Sequence, residues 1–335
     1  MESNNSEAKE KISLYSRLKN KIANIKKFLS EKGLLHTVVF AFILLVSFCI
    51  FLIIDNAKIS KNYYTIYENG NMYKYVLTSN EVRLDSYAGD KNSFSIPEKI
   101  SIRRAITRKD FTVNSIHLEN LEVDKLYIPK TITKIDSFGH NFNSVEVSKD
   151  NPIFDSRDNC NCICLTKENK IIAASNKNSF IPNTIVEIGE YAFYRTDYQS
   201  IELPSGVKNI DEYSFSYMYQ LEKITFNNDI LVLSSYAFLG CTKLKSVILP
   251  KSLIQMSSLA FFEACVESVY FKGTKEEFDA ISNNSVNKQV SSAYDKDNYY
   301  FKSSRAVYIY FYSEKEPIDK GNTWHYENNE AKIWE

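Results

Sequence analysis

Glycine is scarce, nine in 335 residues, which leaves little for a backbone loop that cradles phosphate. Histidine is scarcer. The four are His36, His117, His140 and His325, and none sits in a zinc or nucleophile signature. There is no G-x-S-x-G, no H-E-x-x-H and no EF-hand loop, so no catalytic constellation is readable. The expectation is a non-enzyme without cofactor or metal; a hydrolytic enzyme is the disfavoured third reading. Charge of one sign is also missing in excess. The 41 basic side chains equal the 41 acidic ones, so no global basic field argues for nucleic acid as a partner.

Cysteine is sparse as well. Five of the six follow residue 55: Cys160, Cys162, Cys164, Cys241 and Cys265. An odd number leaves at least one unpaired within a monomer. In "CNCIC" the three cysteines share one face of a strand. The bland reading is small buried thiols in place of apolar residues. A disulfide outside the cell, or a soft-metal site with His140 or another ligand closing the set, stands beside it. No fourth ligand falls at a usual spacing.

What is present begins with one long apolar run, "LLHTVVFAFILLVSFCIFLII", Leu34 to Ile54. As a helix it spans roughly 32 Å, enough for a ~30 Å hydrocarbon core. A cleaved leader normally has a core of ~7–15 residues and a small-residue site, and neither fits here; a lipid-anchored Cys49 would follow a bulky Phe48. Residues 1–32 hold eight basic against four acidic side chains. Basic flanks stay cytoplasmic, so the N-terminus is expected inside and residues 55–335 outside. Tyr15, Leu18, Ile22, Ile25 and Leu29 form one helical stripe. It suits a coiled-coil segment for self-association, an interfacial helix on anionic lipid, or a solvated juxtamembrane helix.

The outer part repeats itself. Four units read "FIPNTIVEIGEYAFYRTDYQSI", "ELPSGVKNIDEYSFSYMYQLEKI", "TFNNDILVLSSYAFLGCTKLKSV" and "ILPKSLIQMSSLAFFEACVESV". Phe193, Phe215, Phe238 and Phe261 fall 22, 23 and 23 residues apart. Pro182, Pro204 and Pro250 keep step, with Asn227 in the third unit. Earlier copies start at Tyr127 ("YIPKTITKIDSFG") and Ser95 ("SIPEKI"). Each unit offers an apolar-x-apolar strand closed by a turn, then Ala-Phe (Ser-Phe in the second unit) pointing inward. A single unit buries too little to order itself, so neighbours must stack and pair strands. The pattern predicts a solenoid with one short parallel strand per 22–23-residue turn.

The pattern I-x-LP-x-x-v-x-x-I-x-x-x-AF resembles the BspA-like leucine-rich-repeat family of surface proteins. "NPIFDSRDNCNCICLTKENKIIAASNKNSFIP" resembles an irregular unit of that family. "YFKGTKEEFDAI" with "AVYIYFYSEKEPIDKGNTWHYENNEAKIW" resembles its C-terminal end, and "EVRLDSYAGDKNSFSIPEKI" its start. Residues 98–125 fit poorly. The resemblance implies a β-rich α/β, right-handed coil used for surface contact, and no conserved catalytic site. The expected division is 1–33 cytoplasmic helix, 34–54 transmembrane helix, 55–97 linker and cap hairpin, 98–273 repeats, and 274–335 C-terminal cap. Thr78-Ser79-Asn80 reads as a hairpin turn, and Thr274 to Glu277 as a capping box.

The outward column of the repeat strands gives the candidate binding residues: Tyr127, Glu146, Phe180, Glu202, Thr225, Ile248 and Tyr270, with Lys223 in the neighbouring column. Two readings stay open for the rings among them: a contact surface, or a ladder that packs on itself. The function expected is a single-pass cell-membrane protein that captures an extracellular protein or glycan. The alternative is an envelope scaffold or sensor that reports inward through the N-terminal helix.

Overall fold

The computed structural model describes residues 19–23, 41–47, 62–104, 107–119, 121–136, 141–257, 259–284, 308–318 and 322–334. The chain divides into two compact units, Met1–Ser60 and Lys61–Glu335. In the first, residues 19–23 and 41–47 are helical and exposed. Among the described residues no helix is long and apolar enough to cross a membrane. The rest of Leu34–Ile54, and all of the predicted stripe except Ile22, lie outside the described residues.

The second unit opens with a meander. Asn62–Glu68, Asn71–Leu77 and Val82–Ala88 pair antiparallel in that order. The hairpin expected at Thr78-Ser79-Asn80 is the turn between the last two. Val82–Ala88 then pairs in parallel with Ser115–His117, and that strand with Lys134–Asp136. A second parallel ladder joins Ser93–Ser95, Glu122–Ile128 and Asn141–Val147. The poor fit of residues 98–125 to the repeat has a simple cause. An antiparallel hairpin, Lys99–Arg104 with Thr107–Thr112, is inserted into that turn; the chain on either side of it stacks like the rest.

The irregular unit forms an antiparallel meander of Phe154–Asp155, Cys162–Leu165 and Lys170–Ala174. Its last strand begins a parallel ladder with Glu187–Ile188, Asn209–Ile210, Val232–Leu233 and Gln255–Met256. In register, Ile171, Ile188, Ile210, Leu233 and Met256 lie side by side and are buried. Ser200–Glu202 pairs with Lys223–Thr225, and Ser246–Leu249 with Ser268–Phe271, also in parallel. The expectation of one strand per turn is therefore corrected to two: the apolar-x-apolar strand, and a two-residue strand after the proline turn. Two residues are too few for alternation to show in sequence.

A third set of bonds links turn to turn at Ala-Phe. The N–H groups of Phe193, Phe215 and Phe238 donate to the carbonyls of Ser214, Ala237 and Ala260 at 2.7–2.8 Å. The four phenylalanines are fully buried and stack in file, with centroids 5.2, 5.1 and 5.0 Å apart. Each of the four phenylalanine turns then closes on a left-handed residue: Arg195, Tyr217, Gly240 and Glu263, at φ 58°, 56°, 69° and 57°. Only one of the four is glycine, which hid the repeat of this geometry. Gly240 has a second reason to lack a side chain, since a Cβ there would lie 2.8 Å from the Tyr217 ring.

The third unit's missing proline is explained by what Asn227 does. Its Nδ2 donates to the carbonyls of Pro204 and, at 3.1 Å, Val207, while its Oδ1 accepts from the Asp229 N–H. Asn151 makes the same stitch to Pro129 and Ile132, both at 2.9 Å. Asn227→Asp would face a carboxylate to two carbonyl oxygens. It should lower stability by about 1–3 kcal/mol, read by chemical denaturation; an unchanged midpoint would show that the stitch is idle.

The C-terminal end closes the stack. Thr274 and Glu277 exchange the two bonds of a capping box at 2.8 and 3.3 Å, and start the helix Lys275–Asn284. Phe278 of that helix packs edge-on against Phe271 at 5.3 Å. Tyr308–Tyr312 extends the ladder beside Ser268–Phe271. Thr323–Glu327 and Glu330–Ile333 follow as a hairpin. Its turn residues Asn328 and Asn329 are both at positive φ, which suits the right-handed twist of paired strands. Buried Trp324 donates its indole N–H to the Phe271 carbonyl at 2.9 Å.

Candidate functional site

The strands position the predicted column by alternation. In Glu122–Ile128, Val123, Leu126 and Ile128 are buried, and Tyr127 turns outward. In Asn141–Val147, Phe142, Val145 and Val147 are buried, and Glu146 is exposed. Register makes two outward rows, Ser95–Tyr127–Glu146 and Ser93–Lys125–Ser144. Glu202 pairs with Thr225, and Ser200 with Lys223, on the next sheet, all four exposed. Ile248 pairs with Tyr270, half-buried, on the last. Phe180 lies outside the strands, 48% exposed, its N–H bonded to the Cys160 carbonyl.

The open question about the rings divides along the chain. Tyr270 stacks on Tyr310 at 5.3 Å and meets Trp324 edge-on at 5.5 Å, so at this end the ladder reading holds. Tyr127 and Phe180 have no ring partner among the described residues. Tyr310 and, stacked beside it, Tyr308 continue that packed ladder, an extension missed in sequence. The signal was there: "YIYF" repeats the Tyr-Phe step of "SVYF", and the two segments pair residue for residue.

Over Tyr127 the face is not flat. Residues 154–161 rise beside it, and together they enclose a cleft of about 690 Å³. Lys125, Tyr127, Ser144 and Glu146 line it from the strands, and Asp158 and Asn159 from the wall. Nothing periodic in "DSRDNCN" announces this wall. Asp158, Asn159 and Asn161 are all left-handed, at φ 56°, 56° and 54°, a conformation that Asn and Asp tolerate best after glycine. Arg157 holds the wall in place. Its guanidinium donates to both Asp155 oxygens at 2.9 and 2.8 Å, to Asn169 Oδ1, to Thr184 Oγ1 and to the Thr166 carbonyl. Burial opposes the Asp155 charge, yet the bonds from Arg157 and Thr166 outweigh it and hold its pKa below the usual value.

Cys160, Cys162 and Cys164 are fully buried and face one side, in the core shared with the repeats, while Ile163 faces the other. The described cysteines are all free. Burial raises the Cys162 thiol, and hydrogen bonding to Cys160 together with burial raises Cys164. Burial pushes Cys241 up to about 12. Protonated thiols are poor nucleophiles. In a brief native alkylation, half-exposed Cys265 should label, and Cys162, Cys164 and Cys241 should label only after denaturation. Prompt native labelling of Cys162 would refute this.

The family model described as "BspA type Leucine rich repeat region" matches residues 168–289 in 6 copies. No curated protein matches the chain significantly. Several solved structures are similar to it, three of which follow. A leucine rich cell surface protein from Faecalibacterium prausnitzii A2-165 is 14% identical; the match covers 68% of this chain and 99% of that one, with a TM-score of 0.37. The pneumococcal vaccine antigen PcpA is 15% identical, over 75% and 94%, with a TM-score of 0.38. A leucine-rich repeat protein from Bacteroides ovatus ATCC 8483 is 18% identical, over 64% and 59%, with a TM-score of 0.35.

Proposed function

From the premise that this chain carries a BspA-type leucine-rich-repeat region over residues 168–289, we propose that the protein acts by non-covalent capture of a partner at the cell surface. The stacked turns form a right-handed solenoid in this reading, and catalysis plays no part. Leu34–Ile54 spans the membrane once, with residues 1–33 inside, residues 55–97 leading into the stack, 98–273 forming it and 274–335 closing it.

One observation carries the reading. In the outward rows Ser93–Lys125–Ser144 and Ser95–Tyr127–Glu146, the side chains of Lys125, Tyr127 and Glu146 make no hydrogen bond or ion pair to other described residues. Repeat stacks offer such rows as extended contact surfaces, and a tyrosine among polar neighbours is a favoured anchor.

Cells displaying the full chain should retain material from surface or matrix extracts. Tyr127→Ala with Glu146→Ala should reduce retention about tenfold or more at equal display, a loss of at least about 1.4 kcal/mol. Equal retention would take the role away from this face. Protease added to intact cells should remove residues 55–335 and spare 1–33; the reverse pattern would invert the topology.

A further inference from the structure

We propose that the cleft over Glu122–Ile128 and Asn141–Val147 binds a short, neutral oligosaccharide. This deepens the surface-binding reading and rests on it. The space, about 690 Å³, falls in the range of small-ligand sites. Its floor is a grid. Across the strands Lys125 faces Ser144, and Tyr127 faces Glu146, ~4.8 Å apart; along a strand the rows are ~6.6 Å apart. That is the scale that separates non-adjacent hydroxyls across a pyranose ring.

The groups on the grid match that ligand. Lys125, Tyr127, Glu146, Asp158 and Asn159 make no side-chain hydrogen bond or ion pair to other described residues. The two carboxylates accept from hydroxyls, the ammonium donates to them, and the Asn159 amide does both. The half-buried Tyr127 ring lines the cleft and has no other ring packed on it, which suits it to meet the C–H face of a sugar.

Other occupants fit less well. The cleft's charges cancel: Lys125 and Lys149 against Glu146 and Asp158, with Arg157 already paired to Asp155. A polyanion would meet carboxylates without a surplus of cations. A peptide adding as a strand needs an open sheet edge, and this site lies on a face whose middle strand, Glu122–Ile128, is paired on both sides. An acyl chain would find no continuous apolar wall.

The test is saturation-transfer NMR and calorimetry on the full chain, kept in solution without glycoside detergent. The probes are cellotriose, maltotriose, chitotriose and N-acetyllactosamine, with a heparin tetrasaccharide as the anionic comparison. At least one neutral probe should bind. Tyr127→Ala and Glu146→Gln should each weaken it about tenfold or more, Tyr127→Phe should keep most of the affinity, and Tyr270→Ala should change nothing. A cooperative thermal transition well above the assay temperature shows that each variant is folded.

Neutral binding that ignores both Tyr127→Ala and Glu146→Gln would overturn the site. Binding of the heparin fragment alone would overturn the ligand class. Failure of every neutral probe, while cells still retain extract material through Tyr127, would also overturn the ligand class but leave the surface-binding reading standing. Loss of that retention as well would sink both.

Discussion

Phe215→Ala should destabilise the Lys61–Glu335 unit by about 3–5 kcal/mol, the range for emptying a buried phenylalanine site. The ring is fully buried and sits between two others, Phe193 at 5.2 Å and Phe238 at 5.1 Å. Deleting it removes both stacks and leaves a void that neighbours cannot readily fill. The Phe215 and Phe238 main chains are fixed by turn-to-turn hydrogen bonds at 2.8 Å, which resist collapse into the space. Phe215→Leu keeps most of the volume and should cost only about 1–2 kcal/mol. A double-mutant cycle of Phe215→Ala with Phe238→Ala should return about 0.5–1.5 kcal/mol of coupling, the stacking contribution beyond area.

The loss should also be local in a telling way. In a stack each turn touches only its neighbours. Hydrogen exchange should therefore rise first across the Phe193 to Phe238 turns, with the meander Asn62–Ala88 little changed at the same temperature. A cost under about 1 kcal/mol would mean that the file of rings is not what joins the turns. So would exchange that rises evenly through the unit.

This file was the most legible part of the fold, because a ring at a fixed step leaves a mark that does not depend on local conformation. Other features left no such mark. The strand Asn209–Ile210 holds two residues, shorter than any period. The left-handed closures at Arg195, Tyr217 and Glu263 use residues with no glycine-like signature. The hairpin Lys99–Thr112 reads in sequence only as a gap in the repeat.

The candidate site was half legible for the same reason. Tyr127 and Glu146 lie on strands, where alternation assigns a side. Asp158 and Asn159 lie on an aperiodic segment whose place is set by the distant contacts of Arg157. Sequence spacing cannot report a contact between Arg157 and Thr184.

That dependence makes Arg157→Ala the second large prediction. Arg157 ties the wall to Asn169 and Thr184, on the segments that enter the first regular turns. Removing it strands Asp155, a half-buried carboxylate that keeps its charge largely through this partner. Breaking one side of a buried pair typically costs about 3–5 kcal/mol. Both side chains retain some exposure, 18% and 28%, so solvent screening brings the expectation to about 2–3 kcal/mol. Arg157→Lys should recover little, since an ammonium cannot hold both carboxylate oxygens and three further acceptors at once.

The pH dependence follows with a definite sign. Because the folded pKa of Asp155 lies below its unfolded value, its stabilisation is fully present above about pH 4 and is lost as the pH falls through the folded pKa. The parent should thus lose more stability on acidification than Arg157→Ala, whose Asp155 no longer has that advantage. The substitution touches no atom proposed to meet a sugar, yet it should weaken oligosaccharide binding by letting Asp158 and Asn159 move. Calorimetry at neutral and acid pH, alongside the binding titration, separates the two effects. Full affinity in an Arg157→Ala protein that is otherwise destabilised would show that the wall stands without its tie, and that the cleft is shaped by the strands alone.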